Sequence, residues 1–416
     1  MKNRLTQLLA YIILSLLPFI TFASLKPITS NFLVITDIHL DQSDWFSMTI
    51  NPSIPNPLND LDPKTFKKLM RDIHQNIKNG TVDKPQFILI LGDISGHLRL
   101  HAHSVINNES AVFHELDTIF SPTPIFYVFG NNDSLLANYG PFSDPHYPGQ
   151  DKSPYDIAQS QGSWRNGFLS TGIQCKSKQI KFPCLIIEDS VNGYYSAYLN
   201  TKLRLIALNS VLFSVKRNRV SDNAATNQLA WLAAQLASAQ KNHESVIIAM
   251  HIPPGNNIYN HSPFWVASDQ ALFLKLIKTY QPTIIGLLAS HTHAEELKVI
   301  KTSPNQIIAG LYFTAALSTS HGNAPSIKTF YLSKNNKQWL MSNYKTFYFL
   351  QTGSGIKLKT LYNYQHYYCD HHETNLSACL DKITATPMKK YFSSGNPNFE
   401  GVIGSPNDIE LIFNQP

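Results

Sequence analysis

Five short apolar runs along the chain each break off at residues able to bind a metal. Phe32-Leu33-Val34-Ile35 ends before Asp37, His39 and Asp41, and Phe87 to Leu91 runs into Gly92-Asp93. Ile125 to Phe129 runs into Gly130-Asn131-Asn132-Asp133, Val246 to Met250 into His251, and Thr283 to Leu288 into Ser290-His291-Thr292-His293. Runs this short, rich in β-branched and aromatic residues, predict buried strands. Between them apolar residues return at helical spacing. Phe66, Leu69, Met70, Ile73 and Ile77 follow Asp62-Pro63, a capping carboxylate with proline at the first helical position, and stop at Gly80. Further helices are predicted over residues 109–120 (Val112, Phe113, Leu116, Ile119), 226–240 (Leu229, Leu232, Ala233, Leu236) and 269–280. The strand–helix–strand order predicts an α/β fold. In such folds ligand sites lie beyond the carboxyl ends of strands, so the five loops can meet at one place. Were the first strand to continue, Asp37 and His39 would project to the same side.

The remaining pattern is less regular. Tyr194 to Leu199 and Leu203 to Leu208 read as paired strands. The runs Leu297 to Ile300, Gln306 to Phe313, Lys328 to Leu332 and Lys345 to Leu350 read as antiparallel ones. The proline-rich passage 51–61 is expected to be irregular, and His101 and His103 to be loop histidines. Residues 138–192, rich in Gly, Pro, Ser and Tyr, read as a long insertion that walls the site. The expected organisation is a catalytic domain over residues 24–350 and a small C-terminal extension over 351–416.

The first 23 residues read as a signal peptide: Lys2 and Arg4, an apolar stretch from Leu8 to Ile20, then Thr21-Phe22-Ala23. This predicts an exported protein, secreted or periplasmic, with an uncleaved anchor as the competing reading. No later stretch is long and apolar enough to span a membrane. The net charge of +6 is dispersed, with no block of like charge, which argues against nucleic acid as a structural partner. Four cysteines allow three connectivities; the close spacing of Cys175 with Cys184 and of Cys369 with Cys379 favours local disulfides, which fit export. None lies beside the metal-capable residues, so a thiolate site is not expected.

The set of DIH at Asp37, GD at Asp93, GNND at Asn131, the lone His251 and HTH at His291 resembles the calcineurin-like metallophosphoesterases. GDISGH (92–97), GYYSAY followed by LRLIALNS, QLAWLAAQL followed by AMHIPPG, and SHTHAEEL (290–297) resemble the acid-sphingomyelinase-like branch. The resemblance covers residues 32 to 350. It implies a four-layer α/β/β/α sandwich and a dimetal centre. Asp37, His39, Asp93 and His293 would hold one ion, and Asp93, Asn131, His251 and His291 the other, with Asp93 shared. Zinc is expected for such imidazole and carboxylate donors, with iron or manganese as alternatives. Two cations about 4 Å apart can supply a hydroxide and neutralise phosphate oxygens during in-line displacement.

This chain departs from the resemblance in two places. Asn132 stands where most relatives have histidine, although endopolyphosphatases of the same branch also carry GNND. An amide cannot transfer a proton, so His97 becomes the expected acid for the leaving group. Ser290 replaces the usual glycine before HTH and reads as a small-residue exchange. The resemblance implies an exported hydrolase of phosphodiester or phosphoanhydride bonds with a small phosphorylated substrate. About ten residues separate the signal peptide from the first strand, so a lipid-presenting saposin-like domain is not expected there. Soluble nucleotides, phosphocholine-type esters or polyphosphate are therefore favoured over sphingomyelin. A non-catalytic, metal-stabilised binding protein is the alternative from another class. Asp41 is expected to orient His39 or cap its loop, and Glu295 and Glu296 to start a strand or support His293. His321 stands in a loop where relatives often place substrate-facing residues, and an ordinary loop histidine is the expected reading. The run from Cys369 to Glu373 reads as a disulfide-tied surface loop.

Overall fold

The structure is a computed structural model that describes residues 28–42, 60–97, 102–143, 174–175, 182–218, 220, 222–303, 306–319, 323–335, 338–352, 355–369, 375–382 and 410–412. The signal segment, most of the 138–192 insertion, His101, His321 and Asp370 to Glu373 lie outside the described residues.

Two sheets carry the fold. The first holds β1 (Ile28–Ile35), β2 (Phe87–Ile90), β3 (Ile125–Tyr127), β11 (Ser326–Asn335), β12 (Gln338–Thr352) and β13 (Gly355–Asn363). Their order across the sheet is β13-β12-β11-β1-β2-β3. The second holds β4 (Cys184–Asp189), β5 (Tyr194–Asn200), β6 (Leu203–Ala207), β7 (Ser245–Ala249), β8 (Ile284–Ala289), β9 (Leu297–Ser303), β10 (Gln306–Phe313) and β14 (Glu410–Ile412). Their order is β14-β9-β10-β8-β7-β6-β5-β4. In the first sheet β1, β2 and β3 are parallel, with Val34 opposite Leu89 and Ile90 opposite Tyr127. In the second β6, β7 and β8 are parallel, with Ile206 opposite Ile248 and Ile248 opposite Leu287.

Strand alternation divides the core into layers. Leu33, Ile35, Ile88 and Ile90 pack in the cluster that includes the helices, whereas Phe32, Val34 and Leu89 pack with Leu205, Ile247 and Leu288 of the other sheet. The helices are α1 (Pro63–Lys78), α2 (Ala102–Phe120), α3 (Asp222–Lys241) and α4 (Ala267–Thr279). In α1 the Asp62 carboxylate accepts the N–H groups of Lys64 and Thr65, and Phe66, Leu69, Met70 and Ile73 are buried. The result is the expected α/β sandwich. The sheets approach closely at Gly286, where a Cβ would lie 2.1 Å from the Met341 sulfur, so a larger residue would have to displace that side chain.

Several expectations are corrected. Helix α2 starts at Ala102 rather than at residue 109, placing His103 in a helix instead of a loop. In its first two turns only the adjacent Val105 and Ile106 are large apolar residues, which pack with Leu135 in a separate cluster and show no helical spacing. Strand β4 rises from the insertion, paired with β5. Residues beyond 355 supply β13, paired with β12, and a short helix α5 (Tyr364–Tyr368). Tyr362, Tyr364, Tyr368, Leu376 and Leu380 are buried in the inter-sheet layer. Both disulfides form locally, Cys175–Cys184 and Cys369–Cys379, with Cα separations of 5.0 and 5.2 Å. No helix among the described residues is long and apolar enough to cross a membrane.

Candidate metal centre

The loops after β1, β2 and β3 meet those after β7 and β8 at the carboxyl edge of both sheets. Asp37 and His39 do not sit on a continuing strand: β1 ends at Ile35, and their φ angles are 46° and 47°. Asp93, His291 and His293 also adopt left-handed φ, at 53°, 76° and 62°. Convergence therefore comes from loop geometry, with strain of about 1–3 kcal/mol at each such residue. Hydrogen bonds between loops hold it. The N–H of Asp37 donates to Gly92 O (3.0 Å), that of His39 to Asp93 O (3.1 Å), and that of Ser318 to Asp37 O (3.1 Å). Ser290 is not among the left-handed residues. Its hydroxyl donates to Leu91 O at 2.9 Å, which also accepts from His251 Nδ1 at 2.6 Å, so it does more than occupy little space.

All seven expected ligand residues come together, in two groups. Around the first point His39 Nε2 lies 3.1 Å from His293 Nε2, and Asp37 Oδ1 lies 3.4 Å from His293 Nε2. Around the second, His251 Nε2 lies 3.1 Å from Asn131 Oδ1 and 3.3 Å from His291 Nδ1. Asp93 Oδ2 stands between them, 3.3 Å from His251 Nε2 and 3.7 Å from His39 Nε2. Ligands about 2.0–2.1 Å from one tetrahedral zinc stand about 3.3 Å apart, so these spacings fit shared ions. Asp37 Oδ1 is buried with no hydrogen-bond donor, which such an ion would satisfy.

Burial and mutual charge shift these groups strongly. Burial pushes the Asp37 carboxyl up to about 7, with Asp93 adding to the rise against the opposing pull of His251. Burial would lower His251, but Asp93 and Asp37 outweigh it and push the imidazole up to about 9. Burial likewise opposes ionisation of Asp93, yet His251, His39 and His291 hold it well below the usual carboxylate range. Burial, then the neighbouring His97, drives His39 well below its ordinary value and leaves it a neutral donor.

Asp133, unremarked in the sequence beyond its place in GNND, is the hub of two loops. Its buried carboxylate accepts the N–H groups of Asp93 (3.0 Å), Ile94 (2.7 Å) and Gly130 (2.9 Å), and the Tyr127 hydroxyl (2.5 Å). Gly130 is required beside it, since a Cβ there would lie 2.2 Å from Asp93 N. Each buried donor left unmet costs about 1–3 kcal/mol. Asp133→Ala should therefore lower stability by about 3–5 kcal/mol in urea unfolding and weaken metal retention, with Asp133→Asn intermediate. Unfolding midpoints and metal contents equal to wild type in both variants would show that Asp133 is dispensable. Glu295 ties the last loop to the sheets: it accepts from Lys328 Nζ (2.5 Å) and the Tyr362 hydroxyl (2.8 Å).

A pocket of about 190 Å³ opens over the centre, lined by Asp93, His97, Asn131, Asn132, Tyr139 and His291 among others. His97, with 30% of its side chain exposed, stacks on His39 at 4.2 Å between ring centroids. Its Nδ1 is 2.7 Å from Asp60 Oδ1, and its backbone N–H donates to Asp60 Oδ2 at 2.7 Å. Burial would lower the imidazole, but the bond to Asp60 raises it above its ordinary value. Sequence reading missed Asp60, which lies at the end of the proline-rich passage. Asp41 lies close enough to Asp60 to help raise its carboxyl, after the larger effect of burial. The Asn132 amide donates to Asp93 Oδ2 at 2.8 Å, and its backbone N–H to Asp93 Oδ1 at 2.8 Å.

Comparison with protein families matches residues 30–295 to the calcineurin-like phosphoesterases. The chain belongs to that family. It is thus a metal-dependent phosphoric ester hydrolase, a family assignment that implies a dimetal centre. Among curated proteins it is similar to sphingomyelinase phosphodiesterase D of Dictyostelium discoideum, 23% identical over 365 residues that cover 78% of this chain and 76% of that one. Sphingomyelin phosphodiesterase 2 of Caenorhabditis elegans is 25% identical over 255 residues, covering 58% of this chain and 36% of that one. Human acid sphingomyelinase-like phosphodiesterase 3b is 22% identical over 249 residues, covering 59% and 50%. The chain thus spans half or less of the length of the last two. Among solved structures it is similar to a dimetal phosphatase from Danio rerio, with a TM-score of 0.44, 16% identity, and coverage of 80% of this chain and 98% of that one.

Proposed function

We propose that Asp37, His39, Asp93 and His293 hold one divalent cation and Asp93, Asn131, His251 and His291 a second, both zinc. The observation that carries this reading is the position of Asp93 Oδ2 between two imidazole clusters. When bound, such a pair neutralises phosphate oxygens and activates water. The chain's own residues do the rest. Asn132 holds both oxygens of Asp93 by its amide and backbone N–H groups. Asp60 engages His97 Nδ1, leaving Nε2 to give a proton to the departing oxygen. His97 lines the pocket, which supports that role. The protein is exported, and its substrate is a soluble phosphodiester or phosphoanhydride: a nucleotide, a phosphocholine-type ester or polyphosphate. Hydrolysis of sphingomyelin itself is the second reading, favoured by the names of the relatives.

Elemental analysis of the purified protein should find about two zinc ions per chain, and a chelator should abolish hydrolysis of bis(4-nitrophenyl) phosphate until zinc is restored. Active protein with fewer than one ion per chain would sink the assignment. Preference for sphingomyelin vesicles over ATP, glycerophosphocholine and polyphosphate would favour the second reading.

A further inference from the structure

We propose that Lys216 forms an anion subsite beside the metal centre that selects substrates carrying a second phosphate next to the scissile one, that is, phosphoanhydrides. This rests on the metal-centre reading above. Among the described residues, Lys216 is the only lysine or arginine lining the pocket. It stands one tyrosine away from the ligand cluster: its Nζ is 5.5 Å from the Tyr139 ring centroid, and the Tyr139 hydroxyl is 3.4 Å from His291 Nε2. The neighbouring Arg217 is paired with Asp269 at 3.3 Å, whereas Lys216 has no carboxylate partner among the described residues. The root of the side chain is fixed. The Lys216 N–H donates to Ser214 Oγ at 3.1 Å, and the Val215 N–H to the carbonyl of Phe264, another wall of the pocket, at 2.9 Å.

This arrangement separates the substrate classes. A choline headgroup is recognised by aromatic faces free to receive a quaternary ammonium. Here the Tyr139 ring already has an ammonium beside it, and a choline placed there would meet like charge. An anionic second phosphate would meet the opposite charge. In the hydrolysis, water oxygen bonds to the phosphorus at the metal centre as the bridging P–O bond breaks. The departing phosphate keeps the bonding electrons, and water's protons go to the two products or to solvent. That leaving group is a stable anion, so the step tolerates Asn132 in place of histidine.

The wild-type enzyme should show higher kcat/KM for ATP and inorganic tripolyphosphate than for glycerophosphocholine. Exposed charge–charge contacts are modest and salt-screened. Lys216→Gln should thus lower the ratio of kcat/KM for tripolyphosphate to that for bis(4-nitrophenyl) phosphate about 5- to 10-fold, mainly through KM, and the drop should shrink at high salt. Lys216→Glu should lower the ratio further, and Lys216→Arg should retain it. Calorimetry with methylene diphosphonate, which cannot be cleaved, reads the same contrast without turnover: binding should weaken by a similar factor in Lys216→Gln. The subsite is overturned if the ratio and the binding stay within twofold of wild type in both Gln and Glu variants, or if wild type prefers glycerophosphocholine. In those outcomes the simple diester is still cleaved. Absence of turnover on every substrate by zinc-loaded wild type would instead overturn the metal-centre reading, and this proposal with it.

Discussion

Replacing Asp93 by asparagine is expected to lower kcat/KM by at least about 10³-fold, about 4 kcal/mol of transition-state stabilisation. It should also reduce metal content below that of any other single ligand variant. One oxygen, Asp93 Oδ2, lies within 3.7 Å of imidazoles from both clusters, so loss of its charge weakens both positions at once. The same carboxylate receives the N–H and amide of Asn132, and the amide introduced by Asp93→Asn would turn a donor toward one of these donors. His39→Ala removes a ligand from one cluster only, so it should cost less in both activity and bound metal. Elemental analysis beside steady-state kinetics separates the cases. An Asp93→Asn protein that keeps two ions, or one less impaired than His39→Ala, would show that Asp93 is not shared.

His97→Ala should slow cleavage of esters with poor, basic leaving groups by about 10²–10⁴-fold, the usual contribution of general acid catalysis. Esters of acidic phenols, which depart as stable anions, should be slowed far less. The Asp60 carboxylate at 2.7 Å engages Nδ1 and orients the ring, so Asp60→Asn should give a smaller loss with the same leaving-group dependence. Asn132, bonded to Asp93 and lining the same pocket, cannot give a proton. Asn132→His should then partly rescue the His97→Ala enzyme on poor leaving groups. Metal content must be measured alongside, because His97 stacks on His39 at 4.2 Å. Equal losses on both ester types with both ions retained would assign His97 to phosphate positioning rather than proton transfer.

The sequence by itself determined which residues follow the buried strands, and the cysteine spacing favoured the local pairs that form. An apolar run must be buried, and the chain turns polar where it leaves the sheet, so Asp93, His251 and His291 are marked locally. The helix over α1 was equally legible, because Asp62-Pro63 caps it and its apolar positions repeat at helical spacing. Only the tertiary structure decided how these pieces meet. His39 and His293 are separated by 254 residues and His97 and Asp60 by 37, and no local pattern encodes such pairings. Alternation says which side chains share a face of a strand, not which sheet lies opposite. The tyrosines beyond 355 therefore read as part of a small C-terminal extension although they fill the layer between the sheets. Asp37 and His39 converge through left-handed backbone rather than strand alternation, because hydrogen bonds from the loops after β2 and β10 stabilise a conformation that their own sequence does not favour.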